Sequence, residues 1–175
     1  LKYAYVPLDP KVALSDSKVD QQKLGQAVAQ LVSQAKLNTN NVAVGIPSDK
    51  VFTTVAEVER LPAGELAQSI KLPADSLIPT PLAESKIDWA LIGDSPSDKT
   101  KQEILLTSVS NSFIESRLDI LENVGLNVVA FEPDNLAVTR ALVPDSITAV
   151  TLVLDIGRKS TDLVIVMNGA PHLTR

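Results

Sequence analysis

The sequence predicts an α/β fold with an α+β insertion. Three observations lead there. Short β-branched or alternating apolar runs recur between turn residues. Four other segments carry helical periodicity. The order of the two kinds mixes β-α-β units with hairpins. The 175 residues suffice for one large domain or two small ones, and 45% hydrophobic with 21% charged residues is an ordinary globular balance.

Taken in order, strands are expected at residues 2–8, 41–46, 51–60, 87–93, 103–108, 127–131, 149–155, 162–168 and 172–175. The run VTLVLDI is almost unbroken in apolar residues, the pattern of a strand covered on both faces. The first helix is expected over about 21–36, with Leu24, Ala27, Val28, Leu31 and Ala35 on one face. Asp20 would cap it, with Val19 and Leu24 as a hydrophobic staple. The second, about 63–72, opens after Pro62 and should stop or kink at Pro73, with IPTPL extended beyond it. The third, about 111–123, carries Ser112 and Glu115 at capping-box spacing, an inner stripe of Ile114, Leu118 and Leu121, and Gly125 where a left-handed residue ends a helix. The fourth, 134–142, follows the turn FEPD. The stretch SPSDKTK, 95–101, reads as a charged hairpin loop with the least order.

Composition excludes several functions. There is no Cys, so neither a disulfide framework nor a thiol nucleophile exists. The single His172 cannot make a multi-histidine metal centre. A net charge of -5 argues against a nucleic-acid surface, and three Phe, two Tyr and one Trp leave no stacking platform for bases. No apolar run reaches membrane-spanning length. The sequence starts at Leu1 inside one strand-like run and stops at Arg175 inside another, so a fragment of a longer protein is expected.

Chemistry concentrates in Asp155-Ile156-Gly157-Arg158-Lys159-Ser160-Thr161-Asp162. A strand delivers Asp155 to its C-terminal end, Gly157 permits a tight turn, and Ser160 and Thr161 offer hydroxyls and amides. An acidic strand end suits a hydrated Mg²⁺, and a small turn residue lets backbone N–H groups approach phosphate. A plain hairpin with a polar turn fits the same residues. Glu132 in FEP, one helix upstream, fits an N-terminal helix charge. His172 reads as a strand-surface residue, Trp89 as a packing residue or contact surface, and Glu57 and Glu59 as the solvated side of a strand.

Together these runs carry a resemblance. VAVGIPSDKVFTTVAEVERLPAGEL, IPTPLAESKIDWALIG, EILLTSVSNSFIESRLDILENVGLNVVAFEPDNLAVTRAL and LVLDIGRKSTDLVIVMNGAPHLTR resemble, in that order, the PilM family of actin-like proteins of type IV pilus assembly, and more distantly the cell-division protein FtsA. The resemblance covers 42–175, with IPTPL and IDWALIG favouring PilM, and the first forty residues fit more loosely.

The resemblance implies a partial actin-like (ribonuclease H-like) ATPase fold. Residues 1–46 and 111–148 would form the first subdomain, 47–110 an inserted small α+β subdomain, and 149–175 the start of a second lobe. DIGRKSTD would be the second phosphate loop. Asp155 would then hold Mg through water, Gly157, Ser160 and Thr161 would lie near the phosphates of ATP, and Glu132 would face the attacked phosphate. The family's first phosphate loop and its Gly-rich adenosine motif have no counterpart in this sequence. Both are expected beyond its ends, so ATP turnover would belong to the intact protein. Arg158 and Lys159 stand where the family often has small residues, and either contact phosphate or are solvated.

By resemblance the partner is the N-terminal peptide of a PilN-like inner-membrane protein, bound between the first and inserted subdomains, and the location is cytoplasmic, at the inner face of the membrane. Three other readings stay open: a nucleotide-independent adaptor, an FtsA-like protein, and a small-molecule kinase of the same superfamily.

Overall fold

The computed structural model describes residues 3–15, 17–144, 146–157 and 160–175. In chain order the elements are α1 (Pro10–Leu14), α2 (Lys18–Ala35), β1 (Asn41–Ile46), β2 (Val51–Glu59), α3 (Ala63–Ser69), α4 (Lys71–Leu77), β3 (Ser85–Asp94), β4 (Lys101–Ser110), α5 (Asn111–Asn123), β5 (Asn127–Pro133), α6 (Asp134–Leu142), β6 (Thr151–Ile156), β7 (Thr161–Met167) and β8 (Ala170–Thr174). Short 3-10 turns at Ser48–Lys50 and Leu82–Glu84 lead into β2 and β3. The chain divides into two compact units. One holds the described residues up to Val44 with Ser112–Phe131, and the other holds Gly45–Asn111 with Glu132–Arg175.

The first unit is built on α2 and α5 and on most of the strand pair β1-β5. Its first surprise lies upstream of α1. Tyr3 to Leu8 carry no ladder, although they alternate as a strand would, with Tyr3 and Tyr5 exposed. A strand exists only through a partner, and Pro7 removes one donor from this stretch. Instead Asp9 caps α1 by accepting the Lys11 amide at 2.9 Å. Arg117 of α5 donates to the Ala13 carbonyl at 2.7 Å.

Helix α2 starts earlier than its periodicity predicts, because Ser17 and not Asp20 is the N-cap. Ser17 Oγ accepts from the Asp20 amide and donates to the Asp20 carboxylate at 2.8 Å, while the Ser17 amide donates to Ser15 Oγ, so Asp20 supports the cap through the hydroxyl. The hydroxyls of Ser15 and Ser17, then Lys23, hold the Asp20 carboxyl at about 2. Helix α5 begins at Asn111, so Ser112 lies inside its first turn and is not the cap. Ile120 is buried with Ile114, whereas Leu118 and Leu121 are half-buried. Gly125, at φ 87°, ends the helix as expected, and its amide returns to the Glu122 carbonyl at 2.9 Å.

The second unit contains two antiparallel sheets. Sheet β2-β4-β3 runs in register from Val51↔Val109 to Glu59↔Lys101 on one side and from Ser85↔Ser110 on the other, with an irregularity between Leu91 and Gly93. Ile104 and Leu106 of β4, both 0% exposed, meet Leu66, Ile70, Ala74 and Ile78 of the helical layer. Trp89 packs against this core. The helical layer differs from expectation. Pro73 does not end a helix at residue 72. The chain breaks at Ile70, which closes α3 and opens α4, and Pro73 occupies the first turn of α4. There its missing N–H has no intrahelical partner to lose.

The other sheet, β6-β7-β8, buries Val153, Val164 and Val166 beside Val138 of α6. Strand β6 is not covered on both faces. Leu152, Leu154 and Ile156 are 54%, 52% and 78% exposed, because α6 packs on the face carrying Val153 and β6 is an edge strand. The doubly covered strand is β4. Its central position leaves Leu105 buried behind Ile104 and Leu106, with β8 packed against β2 and β3. On β8, His172 lies 3.5 Å from Glu103 of β4, an acidic neighbour that sequence distance hides.

The hairpin 95–101 is well tied. Ser95 Oγ donates to Glu57 at 2.5 Å and accepts the amides of Ser97 and Asp98 at 3.1 Å. The charged stretch therefore has its own hydrogen-bonded frame, and exposed Glu57 is part of it.

Candidate functional site

Strands β6 and β7 form the hairpin that carries the predicted phosphate loop. Asp155 and Asp162 are direct cross-strand partners, followed by Ile156 and Thr161. The Gly157 amide donates to the Ser160 carbonyl at 3.0 Å. A Cβ added at Gly157 would stand 3.1 Å from that oxygen, so the tight turn favours glycine by close approach. Arg158 and Lys159 lie outside the described residues.

Two further segments converge on this hairpin. Asp134 opens α6 and accepts the Asn135 amide at 2.8 Å. Partial burial raises its carboxyl above the ordinary value, helped by the charges of Asp162 and Asp155 and opposed by the amides of Asn135 and Ser48. The third segment is the 3-10 turn after β1. Ser48 donates its hydroxyl to Asp162 Oδ1. Beside these groups is a cavity of about 360 Å³. Five hydroxyl residues line it, Ser48, Thr53, Ser160, Thr161 and Thr174, together with Asn135. Asn135 is 6% exposed, and its Oδ1 has no hydrogen-bond partner among the described residues.

The sign of the Asp134 shift makes a prediction. A carboxyl with a raised folded-state value binds more protons in the native than in the unfolded chain as pH rises from 3.8 through that value. Stability therefore falls across this window, and Asp134 opposes folding at neutral pH. Asp134→Asn is expected to raise Tm at pH 7, with the gain disappearing below pH 3.8. A lower Tm at pH 7 would show that the carboxylate stabilises α6.

The predicted residues do not all meet. Asp155, Gly157, Ser160 and Thr161 share the hairpin. Glu132, near the end of β5, is engaged elsewhere. Arg140, one helical stretch on, donates to both its oxygens at 3.1 and 2.5 Å. Ser48, Asp134 and Asn135 enter the site without having been given a site role by sequence, and Asp162, inside the predicted loop, had been given none of its own. The signals were short: a polar turn after a strand, and the DN after FEP.

Among the described residues, no group of three or more His, Cys, Asp or Glu side chains is placed to hold a metal directly. The carboxylates and hydroxyls suit a cation that keeps its water. No helix among them is long and apolar enough to cross a membrane.

The chain has a mixed α/β fold, with helices packed on antiparallel sheets, that it shares with a solved PilM chain. A solved structure of the PilM-PilN type IV pilus biogenesis complex matches it with TM-score 0.81 over 97% of this chain and 52% of that one, at 22% identity. The family described as type IV pilus assembly protein PilM matches residues 2–175, and the chain belongs to it. The cytoplasmic domain of EpsL, an inner-membrane component of the type II secretion system of Vibrio cholerae, is also similar, with TM-score 0.55 over 85% of this chain and 55% of that one, at 15% identity. The chain spans about half the length of each of these solved chains.

Proposed function

We propose that the chain serves type IV pilus assembly as part of a cytoplasmic actin-like scaffold that binds Mg-ATP and the N-terminal peptide of a PilN-like inner-membrane protein. The observation that carries this reading is the family match over residues 2–175. Nucleotide and partner are proposals, since the chain spans about half of the PilM chain it resembles.

The local chemistry suits phosphate. Gly157 keeps the turn slim, and Ser160 and Thr161 supply hydroxyls to a cavity that Val51 and Phe52 also line. Asp155 would hold the hydrated Mg²⁺, which when bound neutralises phosphate charge. The unpartnered Asn135 oxygen offers an acceptor to that water. For the peptide, β3 is an edge strand with Leu91 exposed, so an added strand would find main-chain groups and an apolar neighbour.

A second reading, an adaptor without turnover, is favoured by the Glu132–Arg140 pair. A carboxylate accepting from a guanidinium at both oxygens is a poor base for a water. In this reading the hairpin binds nucleotide or nothing, and the output is protein contact alone.

The test is a fluorescence titration of the 175-residue chain with the N-terminal peptide of the PilN-like protein encoded beside it, set against calorimetry with Mg-ATP. Saturable peptide binding is expected, with Mg-ATP silent at micromolar concentration. Absence of peptide binding by the well-folded chain would refute the partner assignment for this stretch. Tight stoichiometric Mg-ATP binding would overturn the incomplete nucleotide site.

A further inference from the structure

Ser48 stands between two chemistries. Behind it β1 ends at buried Ile46, and three residues ahead β2 begins at Val51. Its hydroxyl donates to Asp162 of β7, and it lines the cavity that Thr53 of β2 also lines. Asp162 in turn acts electrostatically on Asp134 at the head of α6, so Ser48 holds one member of a pair of mutually repelling carboxylates.

We propose that Ser48 is a positioning residue that fixes Asp162 in the hairpin and links the state of that hairpin to strand β2 and its sheet. The inference rests on the nucleotide reading for its purpose and deepens it, by naming how a filled or empty phosphate loop reaches the β2-β4-β3 sheet.

The physical basis is short. The hydroxyl that Ser48 gives Asp162 offsets part of a charge that a bound cation would also offset. When the charge around the hairpin changes, the bond to Ser48 changes with it. The 3-10 turn Ser48–Lys50 is only one turn long, and its last amide returns to the Pro47 carbonyl at 2.9 Å, so displacement of Ser48 is passed to Val51 with little slack. The other charged groups nearby leave Ser48 its role. Lys50 lies 3.6 Å from Asp49, and Arg175 lines the cavity with its amide and carbonyl paired to Leu163 of β7. Strand β2 then carries the shift along nine paired residues of β4. Coupling of this kind needs a contiguous bonded route, and here the route is one side chain and three residues of backbone.

Hydrogen exchange on the 175-residue chain tests the link without any nucleotide. In Ser48→Ala, amides at residues 161–163 and at 51–53 are expected to exchange about tenfold faster, with Ile104 and Leu106 still protected. Ser48→Thr, which keeps the hydroxyl, should return both segments to within about twofold of the parent. In a cycle with Asp162→Ala, which removes the acceptor, the double variant should exchange no faster than either single one. Acceleration confined to 48–50, no rescue by Thr, or additive effects in the double variant would each overturn the proposal. Because no nucleotide is present, the result decides the Ser48 link whatever the peptide and Mg-ATP titrations return.

Discussion

Truncating Ile104 to alanine is expected to destabilise the chain by about 3–4 kcal/mol, the middle of the range for emptying a fully buried aliphatic site. Ile104 is wholly buried on the central strand, between the α3-α4 layer and its neighbours on β2 and β3. Both neighbours are hydrogen-bonded to β4, so the backbone cannot collapse into the space. For a chain of this size the loss corresponds to a fall in Tm of roughly 10 °C. Leu91→Ala on β3, where the side chain is more than half exposed, is the control and should change stability by under about 0.5 kcal/mol. Urea or thermal unfolding of the two variants checks both numbers. Equal losses would mean that the helical layer does not seal the sheet.

The second large effect concerns Asp155. In a polypeptide extended to the full PilM length, Asp155→Ala is expected to weaken Mg-dependent nucleotide binding by about 10- to 100-fold, which is the worth of one charge-assisted contact at 1.5–3 kcal/mol. The fold should survive, because Asp155 is exposed at a strand end. Its loss also relieves Asp134 of one repelling charge. Calorimetry in Mg²⁺ and in excess chelator separates the metal-dependent part. Unchanged Mg-ATP affinity, or unfolding of the variant, would make Asp155 a structural turn residue.

What could be read in the sequence follows from the range of the forces involved. Strand β1 and helix α6 have the bounds their patterns predict, since periodicity and flanking turn residues are local signals. The same is true of Gly125, where backbone geometry asks for glycine. Misreadings begin where a local signal has two outcomes. Pro73 is a breaker inside a helix and harmless in a first turn, and only the break at Ile70 decides between them. Ser17 and Asp20 can each cap α2, and the hydroxyl takes the position while the carboxylate accepts from that hydroxyl. VTLVLDI looks like a doubly covered strand, but coverage is a property of neighbours. That role went to EILL on β4, which sits centrally.

The site divides the same way. Asp155, Gly157, Ser160 and Thr161 are contiguous enough to be read as a loop. Ser48 and Asp162 are brought together across more than a hundred residues of chain, and no spacing rule reaches so far. Glu132 had a sequence role waiting for it, yet its partner Arg140 lies on the next helix, at a distance where one turn more or less changes the outcome.

The uncovered face of β6 bears on how this polypeptide behaves in the test tube. An edge strand with Leu152, Leu154 and Ile156 turned to water is a template for aggregation, the kind of surface that proteins guard with charge. Here the charge on that edge is Asp155, which alternates with Leu154 and Ile156, points with Val153 to the opposite face, and pairs with Asp162 across the hairpin. A carboxylate on an edge strand opposes pairing with a second edge even from the covered face. Neutralising it is expected to make the chain stickier at high concentration, so loss of solubility in an Asp155 variant has a cause written on the strand edge and does not by itself signal misfolding.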